Sequence, residues 1–427
     1  MKQSSLVDYL SEHSDLNKDL LDILKYNLNE HIYYYGEHFK YSKEEKTSYI
    51  SIDFHNIAKR LYVLFQISKS NINKKDRNKK LVLSNAYFSL QDELIKLDYD
   101  VYCPSWSVSK KTKVLGTPEI FRLGETIKTK LKSQDVKNLL TTDFFIDIKH
   151  LKNEIKICME RANVKAMFVP NDISFFENLS VQICNELEIP SFIFLHGFPC
   201  RYNKIDENRT QYLIVWGEKI KESYVKAGIR EDKIFVSGHP YYKYHSAKRL
   251  QFSKENILII TKSVNGSQYS DKIRLSDRGN LILYLFSIEN VLKRQGITSV
   301  RFRPHPSENA IWYLQYLNSD FFKLDNLPLN LSIKQTSLVI GPTSSVLFES
   351  LFFGVNYIVY EPNNNNLDLI NFDIVPPFDG SDPKIPVAKN EEELEYILRN
   401  KILVDPTCFN DYISTPFDLS FVKNLIK

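Results

Sequence analysis

Four short segments place chemically able residues just after an apolar run. The first is Arg301-Phe302-Arg303-Pro304-His305-Pro306. Each proline fixes its own φ and restricts the residue before it, so a stiff loop presents the His305 imidazole. An imidazole N–H there can donate to a phosphate oxygen and stabilise a leaving phosphate. A histidine bonded within its own turn is the plain alternative. The second segment is Gly341-Pro342-Thr343-Ser344-Ser345, between a strand and a helix. Three hydroxyls beside the free N–H groups of a helix start form an anion site that needs no lysine. Capping alone would use one of them. Glu349 lies about one turn further on, among Leu347, Phe348, Leu351 and Phe352. A carboxylate in such apolar surroundings calls for a partner, and ribose hydroxyls are candidates.

The third segment runs from Ser191 through Leu195 to His196-Gly197-Phe198-Pro199. A buried strand delivers the histidine, and the glycine lets a ligand approach the backbone. His196 is a candidate general base for an acceptor hydroxyl. The fourth, Pro170-Asn171-Asp172, also follows a strand, so Asp172 competes with His196 for that role or caps the next helix. Lys262–Gln268 is a weaker signal, in which Asn265 and Gly266 are candidate nucleotide contacts. Asp98-Tyr99-Asp100 matches the D-x-D pattern of metal-dependent glycosyltransferases. It stands between a helix and the start of a strand, where a turn is the better reading. No metal site is expected. Neither a P-loop, nor G-x-G-x-x-G, nor a G-x-S-x-G elbow occurs.

The elements that position these residues alternate. Residues 1 to 78 read as an N-terminal helical subdomain, with Leu20, Leu21, Ile23, Leu24 and Leu28 at helical spacing. Residues 79–248 read as a Rossmann-like domain. Its strands are expected at Leu81–Leu83, Val101–Cys103, Ala166–Val169, Ser191–Leu195, Gln211–Val215 and Ile234–Val236. The rhythm restarts at Ile257–Ile260, Val300–Phe302, Leu338–Ile340 and Tyr357–Val359, so 249–427 reads as a second such domain with a C-terminal tail. In open parallel sheets ligands sit beyond the carboxyl ends of strands, where all four segments fall.

Composition narrows the class. The 427 residues are 43% hydrophobic and 25% charged, the balance of a globular protein. A net charge of +4 and broken lysine runs argue against a nucleic-acid partner. Five scattered cysteines fit a reducing compartment. Met1–Lys18 has no apolar leader core, so the expectation is a cytoplasmic protein, with peripheral contact at the inner membrane left open.

Two groups of motifs resemble a known family. Val215-Trp216-Gly217-Glu218, Ala227-Gly228-Ile229 and Ile234 to Pro240 look like the segment closing the first domain in GT-B enzymes of bacterial surface polysaccharide assembly. His305-Pro306 followed by Thr343-Ser344-Ser345 resembles the HP and Ser/Thr motifs of bacterial sialyltransferases and polysialyltransferases, with related motifs in capsule Kdo transferases. The likeness spans roughly residues 165–362. It implies an α/β GT-B fold, two Rossmann-like domains facing a cleft, to which the helical spacing of the first residues adds an N-terminal helical extension. It implies a metal-independent glycosyltransferase without a resident cofactor. Its donor would be a nucleotide sugar, favoured as CMP-linked nonulosonic or ulosonic acid, and its acceptor a capsule or lipopolysaccharide glycan or glycolipid. In that family the HP histidine and the hydroxyls bind the donor phosphate, which points to His305, Arg303 and Pro306 with Gly341, Thr343, Ser344 and Ser345. The family's acidic-acidic-Gly motif has only a partial match in Asn171-Asp172-Ile173. The paired segments around His196 and His305 also resemble CDP-glycerol glycerophosphotransferases. A UDP- or GDP-sugar transferase, a sugar-nucleotide epimerase and a non-catalytic assembly protein are the other readings.

Overall fold

The short apolar runs become two parallel sheets. The computed structural model describes residues 17–35, 54–72, 79–88, 90–107, 113–132, 139–199, 202, 210–242, 248–262, 278–306, 308, 310–364, 367–368 and 374–426. The first sheet contains β1 (Lys80–Ser84), β2 (Tyr99–Pro104), β3 (Lys113–Leu115), β4 (Val164–Val169), β5 (Ser191–Phe194), β6 (Tyr212–Val215) and β7 (Ile234–Val236). Its order is β3-β2-β1-β4-β5-β6-β7, all parallel. The second contains β8 (Ile257–Ile260), β9 (Val300–Arg303), β10 (Phe322–Leu324), β11 (Leu338–Gly341), β12 (Asn356–Tyr360) and β13 (Val387–Ala388). Its order is β10-β9-β8-β11-β12-β13, again all parallel. Every residue of β5, β8, β11 and β12 is buried, as expected of strands covered by helices on both faces. Both sheets are Rossmann-like. Their order reverses between β1 and β4 and between β8 and β11, and such switch points are where ligands enter.

The helices cover these sheets. They are α1 (Lys18–Tyr35), α2 (Phe54–Ile72), α3 (Gln91–Lys96), α4 (Pro118–Lys132), α5 (Thr142–Ala162), α6 (Phe175–Glu186), α7 (Glu218–Lys226), α8 (Arg278–Arg294), α9 (Ala310–Leu314), α10 (Leu329–Lys334), α11 (Val346–Phe353), α12 (Glu391–Arg399), α13 (Cys408–Tyr412) and α14 (Val422–Leu425). The N-terminal helices do not build a core of their own. Leu20, Leu21, Ile23, Leu24 and Leu28 of α1 are buried in the core of the first sheet. Asn178 Nδ2 of α6 donates to the Asp22 carbonyl at 3.1 Å. Val63 and Ile67 of α2 pack on Cys103 and Val114. Both helices are therefore layers of the first unit. The segment between β2 and β4 holds a further strand, β3, and the helices α4 and α5, none of which the apolar runs announce. The apolar stretch Leu338–Tyr360 is β11, α11 and β12, and no described helix is long and apolar enough to cross a membrane.

The two sheets meet at their carboxyl edges. Loops after β5 and β7 touch α11, the helix that follows β11. The result is a GT-B arrangement of two Rossmann-like units across a cleft. The chain then crosses back. Helix α13 packs against α7, Ser414 N–H donates to the Trp216 carbonyl at 2.8 Å, and Asp418 N–H donates to the Ser237 carbonyl at 2.8 Å. Gly217 makes room for this return: a Cβ there would lie 2.3 Å from the Tyr412 carbonyl carbon. The three nearest atoms, from Tyr412 and Ile413, are all backbone, so relief requires moving the tail. Gly217→Ala should therefore destabilise the fold by about 1–3 kcal/mol, read as a lower urea midpoint. An unchanged midpoint would mean that the tail is not held tightly.

Candidate active site

The second switch point is a cradle built by three strand ends. Gly341 closes β11 against β8, and a Cβ on it would lie 2.3 Å from Ile260 Cγ1 and 2.6 Å from the Tyr357 hydroxyl. Glycine here serves close packing, and it draws the following loop tight over the sheet. The Tyr357 hydroxyl donates to the Pro342 carbonyl at 2.5 Å and fixes that loop from below. Thr261, directly after β8, ties in the histidine loop by accepting from His305 N–H at 3.1 Å. Glu308 N–H donates to the His305 carbonyl at 2.8 Å and closes the turn. His305 and the 341–345 loop thus share one edge of the sheet. Burial pulls the His305 imidazole below its usual value, with Lys262 acting the same way and Glu308 opposing. The shift favours the neutral ring, which keeps one N–H to donate.

The three hydroxyls have separate fates. Ser344 Oγ accepts from Val346 N–H at 3.2 Å, a local turn that occupies the first helical amide. Ser345 occupies the cap position without a side-chain bond. Thr343 is buried, and its Oγ1 has no hydrogen-bond partner. Its N–H donates to Glu361 Oε1 at 2.5 Å. Glu361 is a buried carboxylate immediately after β12. The Thr343 amide is thus taken by Glu361, and the Val346, Leu347 and Phe348 amides donate to Ser344 Oγ, the Ser344 carbonyl and the Ser345 carbonyl, so the amides left to face a ligand are those of Ser344 and Ser345. Glu361 and Thr261 went unremarked in the sequence, although the rule of looking just past each buried strand reaches both.

Glu349 lies at the junction of the two units. Burial raises its carboxyl to about 6, and the charge of Arg303 opposes the rise. Burial pushes up the phenol of Tyr242, from the first unit, and the Glu349 charge adds to the rise. Arg303 also donates to the Leu327 carbonyl, so the strand-end arginine is braced beside the carboxylate. Pro306 is exposed and acts only on the loop's backbone. Asn265 and Gly266 lie outside the described residues.

Across the cleft, His196 and Asp172 diverge. His196 is exposed, with Nδ1 3.1 Å from the Pro170 carbonyl. A carbonyl only accepts, so Nδ1 carries a proton, and in the neutral ring Nε2 is the basic nitrogen. That is the tautomer a general base requires. Asp172 is buried, and its Oδ2 accepts from Thr210 N–H at 3.0 Å and from the Thr210 hydroxyl at 3.3 Å. It pins the chain entering β6, and its carboxylate is not presented to the cleft. Two residues beyond His196, Phe198 stacks on Phe348 of α11 with centroids 5.2 Å apart and planes at 22°. His239, after β7, is enclosed by Phe88, Trp216 and Tyr242. Burial pulls it down to about 3, so it is a neutral core group. Asp98 and Asp100 lie at the opposite, amino end of β2 and pair with Lys79 at 2.7 Å and Lys113 at 2.5 Å.

No protein-family model and no curated protein matches the sequence. Among solved structures, the chain is similar to a putative UDP-N-acetylglucosamine 2-epimerase from Listeria monocytogenes, with 13% identity and a TM-score of 0.46 over 81% of this chain and 94% of that one. It is similar to the lipopolysaccharide outer core galactosyltransferase WaaB in its apo form, with 10% identity and a TM-score of 0.45 over 81% and 98%. It is also similar to the wall teichoic acid polymerase TagF, with 11% identity and a TM-score of 0.37 over 87% and 96%.

Glu349 gives a test that separates function from packing. Its folded-state carboxyl, at about 6, lies above the unfolded value of about 4.3. The stabilising contribution is complete below the lower value and is lost as pH rises through the upper one. At pH 7.5 the buried carboxylate costs about 2 kcal/mol. Glu349→Gln should therefore be the more stable protein at pH 7.5, with the difference fading below about pH 4.5 in parallel urea titrations. If the same variant binds nucleotide as well as the native chain does, the carboxylate has no ligand to serve.

Proposed function

We propose that the chain is a glycosyltransferase that moves a sugar from a nucleotide donor to a glycan or glycolipid acceptor, with the donor phosphate at the start of α11. One observation carries the reading. The His196 loop docks through Phe198 on Phe348, only three residues past Ser345, which is about 4.5 Å along the helix axis. A base-competent imidazole and an anion cradle therefore belong to one cleft. In the transfer, the acceptor oxygen bonds to the anomeric carbon and its proton passes to His196 Nε2. The bond from that carbon to the phosphate oxygen breaks, and the electron pair leaves with the phosphate. The His305 imidazole, the Ser344 and Ser345 amides just ahead of α11 and the helix dipole stabilise the charge so formed. Glu349 receives the ribose hydroxyls.

The favoured donor is a CMP-activated nonulosonic or ulosonic acid such as a sialic, pseudaminic or Kdo-like sugar. Support comes from the likeness of His305-Pro306 and Thr343–Ser345 to the sialyltransferase motifs. The chemistry also fits, because a tertiary anomeric carbon that forms a cation-like transition state needs phosphate stabilisation more than a metal. The acceptor is then a capsule or lipopolysaccharide glycan met at the cytoplasmic face of the inner membrane. Glycerol-phosphate transfer from CDP-glycerol is the second reading, favoured by the placement of both His196 and His305 past strand ends.

A donor-hydrolysis screen with CMP-sialic acid, CMP-Kdo, CDP-glycerol, UDP-GlcNAc and GDP-mannose separates these readings. Turnover of UDP-GlcNAc to its epimer without an acceptor would sink the transferase. With the active donor, His305→Ala should lower kcat by about 10²–10³-fold or more at unchanged melting temperature, and full activity would refute the phosphate role. EDTA should leave the rate unaltered. Strict Mn²⁺ dependence would instead bring Asp98 and Asp100 back into the mechanism.

A further inference from the structure

Helix α2 has two apolar faces, and the reaction outlined above uses neither. Val63 and Ile67 pack onto Cys103 and Val114, which fastens the helix to β3, the edge strand of the first sheet. Leu61 and Phe65 lie one turn apart on the other side, and each is 63% exposed. Tyr62 beside them is also exposed. Large apolar side chains scattered singly are normal on a protein surface, whereas a row of them on one helix face marks a contact. Lys69 continues the row one turn beyond Phe65 and is exposed. Arg60 flanks it, with 59% of its side chain exposed. Glu125 of α4 stands 3.7 Å from Arg60 and is shared with Lys128 at 3.1 Å. The helix itself contains no Asp or Glu. The charge of the chain is uneven in the same place. Residues 54–80 carry eight Lys or Arg and one Asp, a net +7, although the whole chain carries only +4. The other 400 residues are therefore net negative, at −3. Lys79 is committed to Asp98 at 2.7 Å, so Arg60 and Lys69 are the cations that α2 presents beside its apolar row.

We propose that α2 docks the chain on an anionic lipid surface, lying in the plane of the headgroups with Leu61 and Phe65 inserted and Arg60 and Lys69 on lipid phosphates. A basic helix without carboxylates that also bears an apolar row is what such an interface selects. Lysine and arginine stems lie along the apolar layer while their charged ends reach the phosphates. Tyr62 suits the boundary, with an apolar ring and a polar tip. The apolar row decides against nucleic acid, because a phosphate backbone rewards cations but gives Leu61 no apolar partner. Charge decides against a second copy of the chain, because two such faces would bring like charges together.

The docking stands whether or not the chain is a transferase, because its test needs neither donor nor acceptor. Co-sedimentation of the full chain with vesicles of phosphatidylcholine alone is compared with vesicles of equal parts phosphatidylcholine and phosphatidylglycerol. The anionic vesicles should bind about ten-fold more tightly or better, and added salt should weaken that binding. Leu61→Ser with Phe65→Ser, and separately Arg60→Gln with Lys69→Gln, should each remove most of the gain at unchanged melting temperature, since all four side chains are exposed. A Phe65→Trp chain should gain a blue shift in tryptophan emission with the anionic vesicles that the native chain lacks. Equal binding to both vesicle types, no binding, full binding by both double variants, or no shift from Phe65→Trp would overturn the docking. So would a native dimer that the serine variant turns into a monomer, or a preference for duplex DNA over the anionic vesicles.

Discussion

Phe198, two residues past a buried strand of the first unit, lies flat on Phe348 in the helix that carries the anion cradle of the second, and the geometry of the cleft rests on this contact. Around it gather Trp216, Phe378 and Tyr412, so the loop, the helix and the returning tail share one aromatic junction. Stacked and edge-to-face rings bury large areas with defined geometry. The junction therefore fixes orientation as well as distance. Without it, His196 and the α11 start would belong to two separate sheets. Lys219 reinforces the same junction through an ion pair with the buried Asp382 at 2.8 Å, and Tyr412 donates to the same carboxylate at 2.8 Å.

The cradle itself is built against stability. Thr343 keeps a buried hydroxyl without a partner, Glu349 keeps a carboxyl in apolar surroundings, and Glu361 brings a buried carboxyl to the loop ahead of a helix. Groups of this kind cost free energy in the folded state unless a ligand satisfies them. Natural proteins rarely retain several together except at functional sites. The first switch point shows the same signature in Asn85 Oδ1 and Trp106 Nε1, both buried without a partner.

The alternation of apolar runs with helical spacing was enough to determine two parallel-sheet units and most of their central strands. The reason is physical: a strand covered on both faces has to be apolar throughout, as Ile257–Ile260 and Leu338–Ile340 are. Looking past such runs led to His305, the 341–345 loop and His196. The edge strands β3 and β10 stayed hidden because they are short and include exposed residues, Lys113 and Lys323. Helical periodicity likewise located α1 and α2 but said nothing about what they cover.

Tertiary structure alone decided which candidates point into the cleft. Asp172 and His196 both follow strands and are equal in sequence. One carboxylate turns inward to Thr210, while the imidazole faces out with its proton fixed by Pro170. The three hydroxyls of 343–345 look alike until the chain folds and one of them takes the first helical amide. Glu361, a carboxylate eighteen positions past Thr343, joins the cradle only because β11 and β12 are neighbours in the sheet. Residue type and strand position are local properties, so the sequence states them outright. Side-chain direction and partnership depend on which strands lie side by side, and that is settled only when the sheets assemble.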